Sequence, residues 1–108
     1  MATIEKGRNL MTLVNVFTVT PDKQTDLVDL LVRATEETMR HVPGFISASI
    51  HRSMDGTKVI NYAQWRSQAD FAALKSNADA QRHMRAAAAL ATFEPIICEV
   101  IDSIGETA

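Results

Sequence analysis

Residues 46–65 carry a hairpin pattern, which limits the folds open to this chain more than any other stretch. Residues 46–53 and 58–65 have the composition of strands, and the turn between them contains Asp55-Gly56. Asp-Gly between two such runs is a strong signal for a two-residue hairpin turn. We therefore expect an antiparallel sheet that includes these two strands.

The returning strand of this hairpin places an amide in an apolar row. Side chains alternate along a strand, so Val59, Asn61, Ala63 and Trp65 share one face. A buried Asn61 must find hydrogen-bond partners in the protein or on a ligand, which makes it a candidate site residue. The tight turn predicts three facing pairs: Ile50 with Asn61, Ala48 with Ala63, and Ile46 with Trp65.

Two further strands are expected near the ends of the chain. Residues 10–19 are rich in Leu, Val, Thr and Phe, and they carry a second amide, Asn15, on the same predicted face as Phe17. Residues 93–101 are apolar apart from Glu99, and Glu94-Pro95 marks the expected entrance of this last strand.

Three helices are expected between the strands. Thr20-Pro21-Asp22 is typical of a helix start and Val42-Pro43-Gly44 of a helix end, so a first helix is predicted over residues 21–41. A capping box at residues 67–70 predicts a short helix that ends near 76–77. Residues 78–90 predict the third helix.

This order predicts an α+β fold of the ferredoxin-like type, a four-stranded antiparallel sheet with helices on one face. We expect a single domain over residues 1–108, with its core at about 10–102. One layer of helices leaves the second sheet face open unless another subunit packs on it, so a homodimer is expected. The residues predicted on that second face include Ser47, Ser49, His51, Tyr62 and Gln64.

Composition excludes several classes of partner. The net charge of -2 and the pI near 5.8 provide no basic field for nucleic acid or for a membrane surface. Residues 1–10 lack the apolar core of a secretory signal, and the single cysteine, Cys98, excludes an internal disulfide, so we expect a cytoplasmic protein with Cys98 in its core. The three histidines are not spaced as metal ligands, so we expect no metal site.

The hairpin motifs resemble those of a known family. Val42-Pro43-Gly44-Phe45, Asp55-Gly56-Thr57 and Asn61-Tyr62-Ala63-Gln64-Trp65, at this spacing, resemble the antibiotic biosynthesis monooxygenase (ABM) family from about residue 10 to residue 101. The resemblance implies a dimeric α+β barrel. It also implies an enzyme that oxidises an aromatic polyketide phenol, an anthrone or a hydroquinone to a quinone with O2, without a metal, haem or flavin.

The resemblance also assigns the site. Asn61 and Trp65 match the Asn and Trp of the family's Asn-Tyr-Ala-Gln-Trp run, which implies catalytic roles for them. Some members carry Tyr where Phe71 stands, and this chain lacks that phenol. The amide suits a developing oxyanion and the indole a flat ring. The residues expected to bind the substrate are Asn15, Phe17, Ile50, Arg52, Phe71, Leu74, Arg82 and His83.

Two alternatives and the identity of the base stay open on sequence alone. Asn15, Trp65 and His83 also resemble, by position, the Asn, Trp and haem-ligating His of haem-degrading monooxygenases with this fold. A non-catalytic stress protein that binds a small molecule is the other alternative. The base that takes the substrate proton could be water, His83 or a group assisted by arginine.

Overall fold

The strands and helices follow the predicted order. The computed structural model describes residues 2–7 and 9–107, so residues 1, 8 and 108 of the predicted domain lie outside the described part. The strands are β1 (Met11–Thr18), β2 (Phe45–Arg52), β3 (Lys58–Trp65) and β4 (Thr92–Cys98). The α-helices are α1 (Gln24–Glu37), α2 (Gln68–Ala72) and α3 (Ala78–Leu90), and three 3-10 turns are Pro21–Lys23, Met39–His41 and Ala73–Ser76.

The four strands form one antiparallel sheet in the order β2-β3-β1-β4. This order confirms the predicted ferredoxin-like arrangement, in which the second βαβ-like half inserts its first strand beside β1. Helix α1 packs against α3 and on the β2–β3 side of the sheet. The helices therefore cover one face of the sheet, called here the inner face.

The inner face is filled by two apolar clusters that lie at opposite ends of the strands. One cluster joins Phe17 and Val59 to Leu27 of α1 and Ala87 of α3. The other joins Leu13, Ala63 and Trp65 on neighbouring strands, with Phe71 and Leu74 packed against them. Phe17, Leu27 and Val59 have no more than 1% of their surface exposed, so the first cluster anchors the helices to the sheet. The space between the clusters belongs to the candidate site.

The predicted hairpin register is correct except at its open end. Ile50 faces Asn61 and Ala48 faces Ala63 as expected, but a β-bulge between Phe45 and Ser47 makes Phe45 the partner of Trp65. The predicted pairing of Ile46 with Trp65 is therefore wrong, and Ile46 is 38% exposed. A bulge inserts one extra residue into one strand, which the hydrophobic pattern alone does not reveal.

The first helix is interrupted where the sequence predicted continuous helix. Regular α-helix ends at Glu37, Thr38 has φ -125° and ψ -61°, and a 3-10 turn at Met39–His41 follows. Gly44 then takes a φ of +89°, which turns the chain into β2. The interruption at Thr38 turns this segment away from the axis of α1.

The last strand also departs from the prediction. It ends at Cys98 and not at residue 101, and Pro95 lies inside it, opposite Asn15. A proline is tolerated there because β4 is an edge strand whose outer side needs no backbone donor. Cys98, expected in the core, is half-buried at the end of this edge strand.

The outer face of the sheet is less open than predicted. Ser47 and Gln64 are buried, because the Ser47 hydroxyl donates to Gln64 Oε1 at 2.9 Å and Gln64 Nε2 donates to the Thr3 carbonyl at 2.8 Å. The N-terminal segment thus covers part of this face. Ser49 and Tyr62 are half-buried and His51 is exposed, as a face without a helical cover predicts.

The start of α2 is fixed by the predicted capping box. Ser67 Oγ accepts from the Asp70 amide and also donates to the Asp70 carboxylate. The Arg66 guanidinium binds the same carboxylate at 2.8 Å, and this bond, followed by the one from Ser67, lowers the pKa of Asp70. Gly44 lies so close to Asp70 that any side chain at position 44 would overlap it.

Candidate functional site

A cavity of about 120 Å³ lies between the inner face of the sheet and the helices. Side chains of all four strands form its floor, and side chains of α1, α2, α3 and two of the 3-10 turns form its roof. The walls are mostly apolar. The polar side chains in them are Asn15, Thr35, Asn61, Trp65 and His83.

Asn15 and Asn61 form a pair of carboxamides in the floor of the cavity. They face each other in the register of β1 and β3, at the centre of the sheet. The Oδ1 atom of each is buried and has no hydrogen-bond partner among the described residues. Pro95 faces Asn15 from β4 and has no N–H to offer.

An unsatisfied buried acceptor costs about 1–3 kcal/mol, so two adjacent ones are an unusual feature for an apolar core. Each carboxamide has an acceptor oxygen and two N–H donors. The pair can therefore donate to an oxyanion and accept from a hydroxyl on the same ligand.

Trp65 lies at one end of the cavity within a group of aromatic rings. Its ring stands edge-on to Phe45, with centroids 5.5 Å apart, and tilted to Phe71, with centroids 5.9 Å apart. Only 2% of Trp65 is exposed. Phe17 and Phe93 form a second ring pair, 5.4 Å apart, which also lines the cavity.

The floor of the cavity between the Asn61 amide and the Trp65 indole consists of small side chains. Asn61 and Trp65 are four residues apart on β3, or roughly 13 Å along a strand. Ala63 and Ala48 lie between them and both line the cavity. Small residues flanked by aromatic rings favour a planar ligand.

The cavity is small for a multi-ring ligand. Pockets that enclose drug-sized molecules are usually about 300–1,000 Å³, so side chains must move for such a ligand to fit. Met39 and Met84 line the roof, and unbranched thioethers rearrange easily. We expect Met39 and Met84 to change rotamer when such a ligand binds.

His83 on α3 is the single titratable side chain in the wall of this cavity, among the described residues. Its Nε2 lies 3.0 Å from the Thr38 hydroxyl, at the point where α1 is interrupted. The ring also borders a separate surface groove, which is lined by Leu30, Arg33, Glu37, Arg82 and Ala86.

The structure brings together most of the side chains that the sequence predicted for the site. The residues that line the cavity are Asn15, Phe17, Asn61, Trp65, Phe71, Leu74 and His83. Their roles in catalysis and binding stay predictions.

The structure places three other predicted residues outside the cavity. Ile50 packs against the cluster around Phe17 and Val59. Arg52 is exposed at the end of β2. Arg82 is exposed on the groove side of α3, where it forms an ion pair with Asp79 at 3.0 Å. None of the three lines the cavity.

Several lining residues were missed by sequence reasoning. Phe45 was missed because the β-bulge brings it to the face that Ile46 was expected to occupy. Met39 and Met84 were missed because their position against the cavity depends on how α1 and α3 pack, which is a tertiary feature. No local pattern indicates it.

No helix of the described residues is both long and apolar enough to cross a membrane. No group of three or more His, Cys, Asp or Glu in the part of the chain described is arranged to hold a metal ion.

The amino-acid sequence is similar to a known protein family and to a named monooxygenase. The family model described as "Antibiotic biosynthesis monooxygenase" matches residues 10–90. The tetracenomycin-F1 monooxygenase of Streptomyces glaucescens is 50% identical over 107 residues, which covers 99% of this chain and 96% of that protein.

Solved structures of two oxygenases are also similar to the structure of this chain. The ActVA-Orf6 monooxygenase of Streptomyces coelicolor, in complex with nanaomycin D, is 30% identical with a TM-score of 0.80, covering 90% of this chain and 92% of that one. The cofactor-independent oxygenase SnoaB of Streptomyces nogalater is 25% identical with a TM-score of 0.76, covering 91% and 99%.

Proposed function

The chain belongs to the antibiotic biosynthesis monooxygenase family, and we propose that it oxidises an aromatic polyketide phenol, anthrone or hydroquinone to a quinone with O2 and no cofactor. It is a monooxygenase, so the non-catalytic alternative is set aside. The observation that carries the proposal is a pair of amide oxygens, without hydrogen-bond partners among the described residues, in the floor of an aromatic-walled cavity that has Trp65 at one end.

The proposed substrate supplies all the electrons. In an anthrone, or in the keto tautomer of a phenol, a ring carbon that bears two hydrogens loses one proton to give a stabilised anion. The anion passes one electron to O2, and the resulting radical and superoxide combine into a peroxide. Loss of the remaining hydrogen with the distal hydroxyl leaves a new carbonyl and one water. One oxygen atom enters the quinone and the other enters water.

The side chains contribute binding and electrostatic stabilisation. Asn61, with Asn15 beside it, donates hydrogen bonds to the substrate oxygen that gains negative charge. Trp65 stacks on or against the planar rings, and the apolar walls exclude water from the reactive anion. Support for a cofactor-free reaction comes from the family and from the description of SnoaB as cofactor-independent.

The test is oxygen uptake with an anthrone or naphthacenone substrate under 18O2. We expect one O2 consumed per quinone formed, one 18O atom in the quinone, and unchanged turnover after treatment with a metal chelator. Asn61→Ala and Trp65→Phe should both reduce the rate. A rate no greater than uncatalysed autoxidation would contradict the proposal.

Haem ligation through the Nε2 atom of His83 would compete with a contact that the structure shows. The imidazole would have to release the Thr38 hydroxyl, which lies 3.0 Å from Nε2, before that nitrogen could bind iron. Titration with hemin tests this point. A Soret band that disappears in His83→Ala would favour haem binding.

We also propose that the outer sheet face forms a homodimer interface. Val14, Val16 and Ile60 leave part of their apolar surface open on this face, and Ile96 is 41% exposed. The Tyr62 hydroxyl on the same face is buried without a partner among the described residues. A second copy would cover the apolar surface. The cytoplasmic location stays a prediction.

A further inference from the structure

The cavity contains several polar side chains but, among the described residues, only His83 can gain or lose a proton near neutral pH. We propose that His83 is the base that takes the substrate proton, and that Thr38 is the residue that positions it. This inference deepens the proposed oxidation and rests on it.

The position of His83 follows from two elements. Asn77 caps α3 by accepting from the Ala80 amide, which fixes the start of the helix that carries His83. On the opposite side, α1 stops at Glu37, and the Thr38 hydroxyl meets His83 Nε2 at 3.0 Å. The ring is therefore held from outside its own helix, in the wall of the cavity.

The Thr38 hydroxyl can accept from or donate to Nε2, and the tautomer in which it accepts suits a base. If Nε2–H donates to Thr38 Oγ1, the lone pair remains on Nδ1, and Nδ1 is free to accept a proton. Both ring nitrogens donate after protonation, so the bond to Thr38 persists in the imidazolium.

The proton balance needs only one group that accepts and returns a proton. Nδ1 takes one proton from the substrate, which leaves the anion that reduces O2. The imidazolium then returns this proton to the peroxide anion, forming the hydroperoxide. Water leaves with the second hydrogen of the same carbon and the distal hydroxyl, so His83 ends the cycle neutral and no proton accumulates.

The surface groove behind His83 is lined by charged groups of both signs. Arg33 and Glu37 of α1 and Arg82 of α3 line this groove together with His83. Arg82 is already paired with Asp79, and Arg33 and Glu37 carry opposite charges. The groove therefore connects the ring with solvent and places no single dominant charge beside it.

The first test compares His83→Gln with His41→Gln, a matched change at an exposed histidine. We expect His83→Gln to lower kcat by about 10²- to 10⁴-fold, the usual contribution of a general base, with little change in KM. The acidic limb of the rate–pH profile should disappear in this variant, and His41→Gln should keep it. Full activity of His83→Gln with the limb intact would overturn the proposal.

The second test separates positioning from packing. Thr38→Ser keeps the hydroxyl and should retain activity, whereas Thr38→Val keeps the shape and should lower kcat by roughly 10- to 100-fold. 15N NMR of His83 should show the Nδ1 lone pair in wild type and a mixture of tautomers in Thr38→Val. If Thr38→Val keeps both the wild-type rate and the wild-type tautomer, Thr38 has no positioning role.

These outcomes differ from failure of the proposed function. If the wild-type enzyme consumes no O2 with any aromatic substrate, the oxidation itself is wrong. If the wild-type enzyme is active and loss of His83 changes neither kcat nor the pH profile, the oxidation stands and His83 is not its base.

Discussion

Gln24 and Asn61 both carry a carboxamide, but the surroundings of the two groups differ. Gln24 Nε2 donates to the backbone carbonyls of Ser53 and Lys58, at 3.1 and 3.0 Å, and so joins α1 to the hairpin. Asn61 has a buried Oδ1 without a partner in the described chain. Gln24 therefore stabilises the folded chain, whereas Asn61 lowers its stability and is available to a ligand.

We predict opposite effects when these amides are removed. Gln24→Ala should lower the free energy of unfolding by about 1–3 kcal/mol, because it removes the two hydrogen bonds that join α1 to the hairpin, and should preserve kcat. Asn61→Ala should leave stability equal or higher and lower kcat by about 10²- to 10³-fold. Urea unfolding and oxygen uptake measure the two quantities. A strong loss of stability in Asn61→Ala would show that its amide is structural.

At the scale of elements, the hairpin loop and the entrance to β2 are held by local contacts. Asp55 Oδ1 accepts from Ser53 Oγ at 2.7 Å and from the Thr57 amide and hydroxyl at 3.0 and 2.7 Å. The Thr57 amide, then the Ser53 and Thr57 hydroxyls, lower the pKa of Asp55 from 3.8 to about 2. These donors favour the charged carboxylate in the folded chain.

The lowered pKa predicts a pH dependence of stability. A depressed pKa adds stability that is complete above the unfolded value of 3.8 and is lost as pH falls towards the folded value of about 2. The stability difference between wild type and Asp55→Ala should therefore be constant above about pH 5 and shrink between pH 4 and 2. Urea unfolding across this range measures it. Thr57→Val should show part of this pH dependence. A stability difference between wild type and Asp55→Ala that does not change with pH would contradict the prediction.

The entrance to β2 predicts a contrast between two glycines. Gly44 and Gly56 both have positive φ, so alanine costs about 1–2 kcal/mol of backbone strain at either position. At position 44 the added methyl would also overlap Asp70, whereas at position 56 it would lie 3.2 Å from Pro21 Cβ. We expect Gly44→Ala to lower the free energy of unfolding more than Gly56→Ala.

Asp70→Ala supplies the control for this contrast. It removes the carboxyl group from the overlap at position 44 but leaves the contact with Cβ of residue 70 and the backbone strain. The double variant Gly44→Ala/Asp70→Ala should therefore lose less stability than the sum of the two single changes. Strict additivity of the three values would show that the overlap does not decide the cost.

At the scale of the whole molecule, the two faces of the sheet serve separate purposes. The inner face and the helices enclose the cavity, while the outer face offers half-buried Val14, Val16 and Ile60. Apolar surface grouped on a regular sheet face is a common basis for a symmetric dimer. The proposed interface therefore lies on the opposite side of the sheet from the cavity.

The dimer proposal predicts that a charge on the outer face dissociates the protein. Ile60→Lys should convert the dimer to a monomer, because a lysine would be buried between two apolar surfaces. Val32→Lys makes the same change on α1, where Val32 is 38% exposed, and should leave the dimer intact. Size-exclusion chromatography with light scattering measures both masses. A monomeric wild-type protein, or a dimeric Ile60→Lys, would contradict the proposal.

The sequence by itself determined the order of elements, the hairpin register near its turn, and the faces on which Asn15, Asn61 and Trp65 lie. These features follow from local chemistry, since caps, turn residues and the two-residue period of a strand act over a few positions. The same local rules placed α3 at the residues the structure shows and predicted the Ser67 cap.

Only the tertiary structure decided which side chains meet across elements. The bulge that replaces Ile46 by Phe45, the interruption of α1 at Thr38 and the contact of Thr38 with His83 all depend on how distant segments pack. The exclusion of Arg52 and Arg82 from the cavity has the same origin. Periodicity assigns a residue to a face of its own element, but the position of that face relative to other elements is set by the packing of the whole core.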